Sequence, residues 1–198
     1  NDAKLFLMGH SWGGALGPAT LLKNQSLFAG WIDVNGSHDP KGLYDNYKIV
    51  LPKMADNQIA LGNSVDYWES ILDLVKNTGA YSLENYYKLN RAANGVAEIL
   101  ASDNVINEAK ADFGNDTPSE NGPIVNWNKN RIAQILDEKG LNENVSFTAR
   151  LSEIKLPSIV LWGKYDVVVP TIYAQEAFDN LGACYKELFI FEKSFTFY

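Results

Sequence analysis

The chain has 198 residues and a formal net charge of −7, from 17 basic and 24 acidic side chains. Hydrophobic residues make up 46% of the chain and charged residues 21%, which excludes a disordered or low-complexity protein. The acidic balance, with no cluster of Lys or Arg, argues against a surface for nucleic acid or an anionic membrane. No apolar run approaches the roughly 20 residues needed to cross a bilayer, so no membrane span is expected.

Metal and disulfide chemistry are not expected either. Two histidines, His10 and His38, and one cysteine, Cys184, are too few for the usual zinc sites, and no cofactor is indicated. Cys184 cannot form an internal disulfide, which leaves the compartment open with the cytoplasm slightly favoured.

The two ends of the chain show strand-helix alternation. Four short apolar runs predict β-strands: Leu5–Met8, Gly30–Val34, Ser158–Trp162 and Glu187–Phe191. The first has no polar alternation, which predicts a strand buried on both faces. Residues 14–24 predict a helix that Pro18 should kink or loosen, and another helix is expected to stop at Gly182. Strands separated by helices predict an α/β fold with a parallel sheet.

The middle of the chain, roughly residues 40–150, predicts helices and loops only. Ser64 and Ser82 are expected to cap two helices, and residues 126–139 predict a third. Residues 112–124 are rich in Gly, Pro and Asn, so they predict a loop. We therefore expect residues 39–152 to be a helical lid inserted into a sheet core formed by residues 1–38 and 153–198.

A G-x-S-x-G motif follows the first predicted strand, in the segment Gly9-His10-Ser11-Trp12-Gly13. Between a buried strand and a helix, this motif is typical of a nucleophile elbow. Both flanking glycines are expected because side chains there would collide in the tight turn. The helix N-terminus and the N–H of Trp12 are then expected to face a developing oxyanion.

Two motifs in order resemble the α/β-hydrolase fold, and most closely its proline iminopeptidase and small-ester hydrolase branch. The segment Leu5 to Gly14, LFLMGHSWGG, is similar to the elbow of that family. The segment Lys155 to Pro170, KLPSIVLWGKYDVVVP, is similar to its seventh strand and acid turn. The resemblance implies that Ser11 is the nucleophile and that Asp166 is the acid. Asp39, which follows the second strand, is the alternate acid.

The family's catalytic histidine has no counterpart at its usual place after the last strand. The chain reads Ser194-Phe195-Thr196 there, and Thr196 occupies the position expected for histidine. Threonine cannot act as a base near neutral pH. His10 belongs to the elbow, and His38 is expected to be a loop or hinge residue, with a substitute base as the alternative. The resemblance also implies strands before Lys4 and a second oxyanion donor, so the sequence is expected to be a C-terminal portion of this fold.

The sequence therefore predicts a serine hydrolase, impaired as written, that cleaves a small-molecule ester or a small amide or peptide bond. Aromatic residues of the predicted lid are candidates for its pocket, although most are expected to form core: Tyr44, Tyr47, Tyr67, Trp68, Tyr81, Tyr86, Tyr87 and Trp127. The alternative is a non-catalytic pseudoenzyme or binding module of the same ancestry. The open edge expected at the first strand predicts self-association, or completion by an N-terminal fragment.

Overall fold

Four parallel strands form one sheet in the computed structural model, which describes residues 4–107 and 138–196. They follow the chain in the order β1-β2-β3-β4, with these bounds: β1 Phe6–His10, β2 Gly30–Val34, β3 Ser158–Gly163 and β4 Lys186–Phe191. All four strands were expected from the sequence, and the second has the bounds predicted. β1 begins one residue later than predicted and continues to His10.

The register brings the carboxyl ends of the strands to one edge of the sheet. Gly9 on β1 lies opposite Asp33 on β2, which in turn lies opposite Val160 on β3. Because all pairings are parallel, the turns after the four strands share that edge. Ser11 and Asp166 both follow strands there.

Strand β1 lies at an edge of the sheet, and it is not buried on both faces as its apolar sequence predicted. Leu5, Phe6 and Met8 are 57%, 55% and 63% exposed. β2 is its single partner among the described strands, so the other edge of β1 is unpaired there. An exposed edge of this kind agrees with the open edge expected at the first strand.

Two helices cover one face of the sheet. Helix α1, Gly13–Asn24, packs against β1 and β2, and the Trp31 ring fills the space beside Gly17. The helical assignment runs through Pro18 without interruption. A second helix, Ile172–Asn180, lies between β3 and β4 and packs on both of them. It ends two residues before Gly182, close to where the sequence placed the stop.

The described part of the segment between β2 and β3 is helical wherever it has regular structure. The helices described there are α2 Leu43–Ala60, α3 Val65–Lys76, α4 Leu83–Ser102 and the short α5 Leu141–Asn144. The helix Ile172–Asn180, which follows β3, is named α6. Helix α2 was not predicted, because Pro52 interrupts its sequence pattern. The loop predicted at 112–124 and residues 126–137 of the predicted helix lie outside the described residues.

Of the two predicted serine caps, the one at Ser82 is formed and the one at Ser64 is not. The Ser82 hydroxyl oxygen accepts a hydrogen bond from the Asn85 N–H at 3.1 Å, which is the capping geometry expected. Ser64 precedes α3 but does not cap it. Its backbone is left-handed, with φ 31°, and its hydroxyl donates to Asp103 Oδ1 at 2.9 Å instead. Ser64 therefore ties α3 to the end of α4.

One hydrophobic core extends from the sheet into the helical segment. Its buried members include Trp31 and Trp162 on strands, and four aromatic residues of the predicted lid: Tyr44, Tyr47, Trp68 and Tyr86. These four residues are therefore core, as was expected for most of the set, and Trp127 lies outside the described residues. Among the residues described, none of the helices has the length and apolar character of a membrane span.

Candidate active site

Ser11 occupies a tight turn between β1 and α1, and its backbone is left-handed with φ 53°. The Ser11 N–H donates to Val34 O at 3.1 Å, and the Ser11 carbonyl accepts from the N–H groups of Gly14 and Ser37, both at 2.8 Å. A non-glycine residue in this region carries strain of roughly 1–3 kcal/mol unless its surroundings hold it there. Three backbone hydrogen bonds supply that constraint, and the angle agrees with the outlying geometry expected for Ser11.

Of the two glycines expected to be required around Ser11, Gly9 is and Gly13 is not. A Cβ atom at Gly9 would overlap the Gly13 carbonyl and lie 2.6 Å from the Trp31 ring, so glycine is required at position 9. At Gly13 a Cβ atom would meet nothing within 4 Å, so the predicted collision there is wrong. The second required glycine is Gly14, whose Cβ would overlap the backbone of Gly36.

Trp12 stands at the N-terminus of α1 with its N–H near the Ser11 turn. Its carbonyl accepts from Ala15 and Leu16, while the Trp12 N–H has no acceptor among the described residues. The first turn of α1 contains no acidic side chain, so nothing there neutralises the positive end of the helix dipole. A negative charge that develops beside Trp12 would therefore be stabilised.

Asp166 lies three residues beyond β3 and is 2% exposed. Its Oδ1 accepts from the N–H groups of Val168 and Val169, at 2.8 and 2.9 Å. Its Oδ2 accepts from Asn35 Nδ2 at 2.6 Å, and the Thr196 side chain lies close enough to the carboxyl group to lower its pKa. Burial raises the pKa of Asp166 to about 7, and these hydrogen bonds oppose the rise. The carboxyl group is thus held firmly in one orientation.

Thr196 reaches Asp166 because the turn after β4 is packed onto the end of β3. The Tyr165 N–H donates to the Ser194 carbonyl at 3.0 Å, and Phe195 is 3% exposed within the core. A Cβ atom at Gly163 would overlap the Phe195 carbonyl. The turn therefore directs a buried side chain at position 196 to the acid, and in this chain that side chain is threonine.

His38 lies next to the elbow, but its ring packs against α6 and not against Ser11. It is 0% exposed, its ring packs edge-on against Tyr173 at 5.1 Å, and its Nε2 is 3.8 Å from Glu176 Oε2. Neither ring nitrogen is hydrogen bonded to Ser11 among the described residues. This position suits the loop residue that was expected, and it gives the alternative of a substitute base no supporting contact.

Asp39 and His10 are placed as local structural residues. The Asp39 carboxyl group lies against Gly42, in the short 3₁₀ turn Pro40–Gly42. His10 is half-buried at the end of β1, and burial lowers its pKa. Within the described residues, His, Cys, Asp and Glu side chains do not gather in threes as a metal site would need.

Asn35 and Asp33 are residues of this site that the sequence analysis missed. Asn35 is 0% exposed and has a left-handed φ of 46°, and it contacts Asp166 across 131 positions of the chain. The sequence signal was the Asn35-Gly36 pair, which directly follows the second predicted strand. Asp33 is 3% exposed on β2, and burial raises its pKa to about 7, although the nearby His38 lowers it. An aspartate inside an apolar strand was the signal for Asp33.

Comparison of the sequence finds neither a matching family model nor a similar curated protein. Solved structures with similar folds are found, and their titles describe α/β hydrolases and esterases. Three of them are the α/β hydrolase MGS-M2 from a Medee basin deep-sea metagenome library, an α/β fold family hydrolase from Bacillus anthracis str. Sterne and an esterase from Exiguobacterium antarcticum.

MGS-M2 is 13% identical with a TM-score of 0.50, covering 98% of this chain and 58% of its own. The Bacillus hydrolase is 16% identical with a TM-score of 0.49, at 98% and 61% coverage. The esterase is 16% identical with a TM-score of 0.47, at 95% and 58% coverage. The four-stranded parallel sheet together with the likeness to MGS-M2 shows that the chain has the α/β-hydrolase fold. The chain spans about three fifths of the length of these three structures.

Proposed function

We propose that the chain carries the nucleophile and the acid of a serine hydrolase that cleaves a carboxylic ester or a small amide or peptide bond. The observation that supports this most directly is the left-handed Ser11 beside the Trp12 N–H, for which the described residues provide no acceptor. Both lie on the same sheet edge as the buried Asp166. The fold shared with known hydrolases is compatible with the proposal.

In the proposed reaction, Ser11 Oγ attacks the substrate carbonyl carbon, and the carbonyl oxygen becomes an oxyanion. The Trp12 N–H and the positive end of α1 stabilise that charge. Collapse of the intermediate expels the alcohol or amine and leaves an acyl group on Ser11. Water then attacks this ester, releases the carboxylic acid and restores the serine hydroxyl.

Each attack needs a base, and this requirement determines how active the chain is. Asp166 orients a side chain at position 196, but the threonine there cannot accept the serine proton near neutral pH. We therefore expect slow hydrolysis by the chain itself. The same contact between Thr196 and Asp166 is the observation that would favour the alternative, a non-catalytic pseudoenzyme or binding module.

Hydrolysis of short p-nitrophenyl esters tests the proposal in four variants: the unmodified chain, Thr196→His, Thr196→His combined with Ser11→Ala, and Thr20→His. We expect Thr196→His to raise kcat/KM by about 10²- to 10⁴-fold, the usual contribution of a general base. Ser11→Ala should abolish that gain. Thr20 is an exposed threonine on α1, so its histidine variant controls for unspecific imidazole catalysis.

A folded Thr196→His variant that hydrolyses esters no faster than Thr20→His would contradict this arrangement of the site. A gain that survives Ser11→Ala would exclude Ser11 as the nucleophile. Labelling by a fluorophosphonate, which reacts only with an activated serine, provides a readout independent of the ester chosen.

We infer further that the exposed β1 edge pairs with β1 of a second copy. Leu5, Phe6 and Met8 are more than half exposed, and no charged residue lies within this run to discourage pairing. Light scattering should find a dimer that Met8→Lys weakens, whereas Ile49→Lys, at an exposed position on α2, leaves it intact. A monomer with a cooperative melt would overturn the inference, and a dimer indifferent to Met8→Lys would place the interface elsewhere.

A further inference from the structure

The helical segment between β2 and β3 leaves the sheet and returns to it through two stretches that lie side by side. We call these stretches, residues 38–42 and 145–148, the neck. The Phe147 N–H donates to the His38 carbonyl at 2.8 Å, and the Lys41 N–H donates to the Val145 carbonyl at 3.1 Å. The outgoing and returning chains are therefore joined by backbone hydrogen bonds.

Helix α6 of the sheet core contacts the outgoing half of the neck through Tyr173. The Tyr173 hydroxyl donates to the Asp39 carbonyl at 3.3 Å and accepts from Asn46 Nδ2 at 2.9 Å. The His38 ring packs edge-on against the Tyr173 ring. Tyr173 is 1% exposed, so this contact is part of the core.

Glu176, one turn further along α6, reaches both halves of the neck. Its Oε2 lies 3.8 Å from His38 Nε2 on the outgoing half, an ion-pair distance that is too long for a hydrogen bond. The Thr148 side chain on the returning half also lies close enough to this carboxyl group to lower its pKa. The His38 contact, followed by that of Thr148, lowers the pKa of Glu176 against the opposing effect of burial.

Asp33 is the second acid that acts on the His38 ring, and it differs in its charge. Burial raises its pKa to about 7, so below that pH it is mainly a neutral acid. The pKa of Glu176 is lowered instead, with the His38 contact as the first cause. Of the two acids, Glu176 on α6 is therefore the one whose charged form the surroundings favour.

We propose that Glu176 is a latch that fastens both halves of the neck to α6 and so fixes the attachment of the helical segment to the sheet core. The latch lies at the end of the sheet where the Asp166 loop leads into α6. Loss of the Glu176 carboxylate frees His38 and Thr148 together, and the two backbone hydrogen bonds of the neck then open more often. This inference does not depend on the proposed hydrolase activity.

Amide hydrogen exchange tests the latch directly, because it measures how often individual hydrogen bonds open. We expect Glu176→Ala to speed exchange of the Lys41 and Phe147 amides by about ten-fold, since it removes a charged and a neutral contact at once. Amides of β2 and β3 should keep their rates. Asp179→Ala is the matched control, an exposed acid on the same helix that does not touch the neck.

Unchanged exchange at Lys41 and Phe147 in a folded Glu176→Ala variant would overturn the proposal, and so would an equal acceleration in Asp179→Ala. If Glu176→Ala does not fold, Thr148→Val decides the question, because it removes only the returning half of the latch. It should still speed exchange of the Phe147 amide by about three-fold or more, and exchange at the rate of the unmodified chain would count against the latch.

Discussion

Replacing Asp33 by Asn should stabilise the protein at neutral and alkaline pH, although it removes a charged group from the site. Asp33 is 3% exposed, its Oδ1 has no hydrogen-bond partner among the described residues, and its neighbours in the sheet are Gly9 and Val160. An ionised carboxylate in such a place has lost its water without finding donors, which is why its pKa rises from 3.8 to about 7.

The sign and the size of the effect follow from that shift. Between pH 4 and 7 the folded protein keeps the Asp33 proton and the unfolded chain has released it, so stability falls as the pH rises through this range. The rise of the Asp33 pKa from 3.8 to about 7 corresponds to roughly 4 kcal/mol, which is the upper limit of the effect. Asn has the same shape and no proton to lose, so Asp33→Asn should match the unmodified chain near pH 4 and exceed its stability above pH 7.

Urea unfolding followed by tryptophan fluorescence at several pH values between 4 and 8.5 measures this difference. Asp56→Asn, at an exposed position on α2, shows what removal of one negative charge does by itself. An Asp33→Asn variant that is less stable than the unmodified chain at pH 8 would refute the reasoning. Such a result would mean that contacts with the surroundings stabilise the ionised Asp33 carboxylate by more free energy than its burial costs.

Three further predictions concern the glycines, a helix cap and the acid. Gly14→Ala should destabilise the fold by about 1–3 kcal/mol through overlap with the neighbouring turn, whereas Gly13→Ala should be nearly neutral, and equal urea midpoints would contradict this difference. Ser82→Ala should cost about 1 kcal/mol of unfolding free energy through the lost cap of α4, and an unchanged thermal midpoint would argue against that cap. Asn35→Leu should raise the pKa of Asp166 above about 7, which an NMR titration of the carboxyl carbon measures, and a lowered pKa would show that this contact does not favour the charged form.

The strands could be predicted from the sequence because each is an unbroken apolar run between turn residues. Exposure of β1 could not be derived from that run, since an apolar sequence does not show whether a strand has neighbours on both sides. Helix α2 was missed because Pro52 reads as a helix breaker, while Tyr47 and Leu51 of this helix are buried in the core all the same.

The candidate site was predictable where residues adjacent in the sequence determine the local backbone geometry, as they do at Ser11. It was not predictable where the contact joins distant segments. Asn35 and Asp166 meet only because β2 and β3 are neighbours, and an Asn before a Gly is ordinarily a turn residue. The finding that Gly14 and not Gly13 must be glycine has a similar cause, since the crowding at Gly14 comes from Gly36, in the loop after β2.

The position of the helical segment, between two neighbouring strands, has a consequence for how fast the sheet assembles. β2 and β3 can pair only after residues 35–157 have been closed into a loop, and such long-range closure slows folding. If the helical segment condenses first, the hydrogen bond between His38 and Phe147 has already brought its ends together. The chain that remains to be closed is then only residues 35–37 before the neck and residues 149–157 after it. A folding nucleus in the helical segment would therefore speed registration of β2 with β3, and substitutions that loosen the neck should slow refolding.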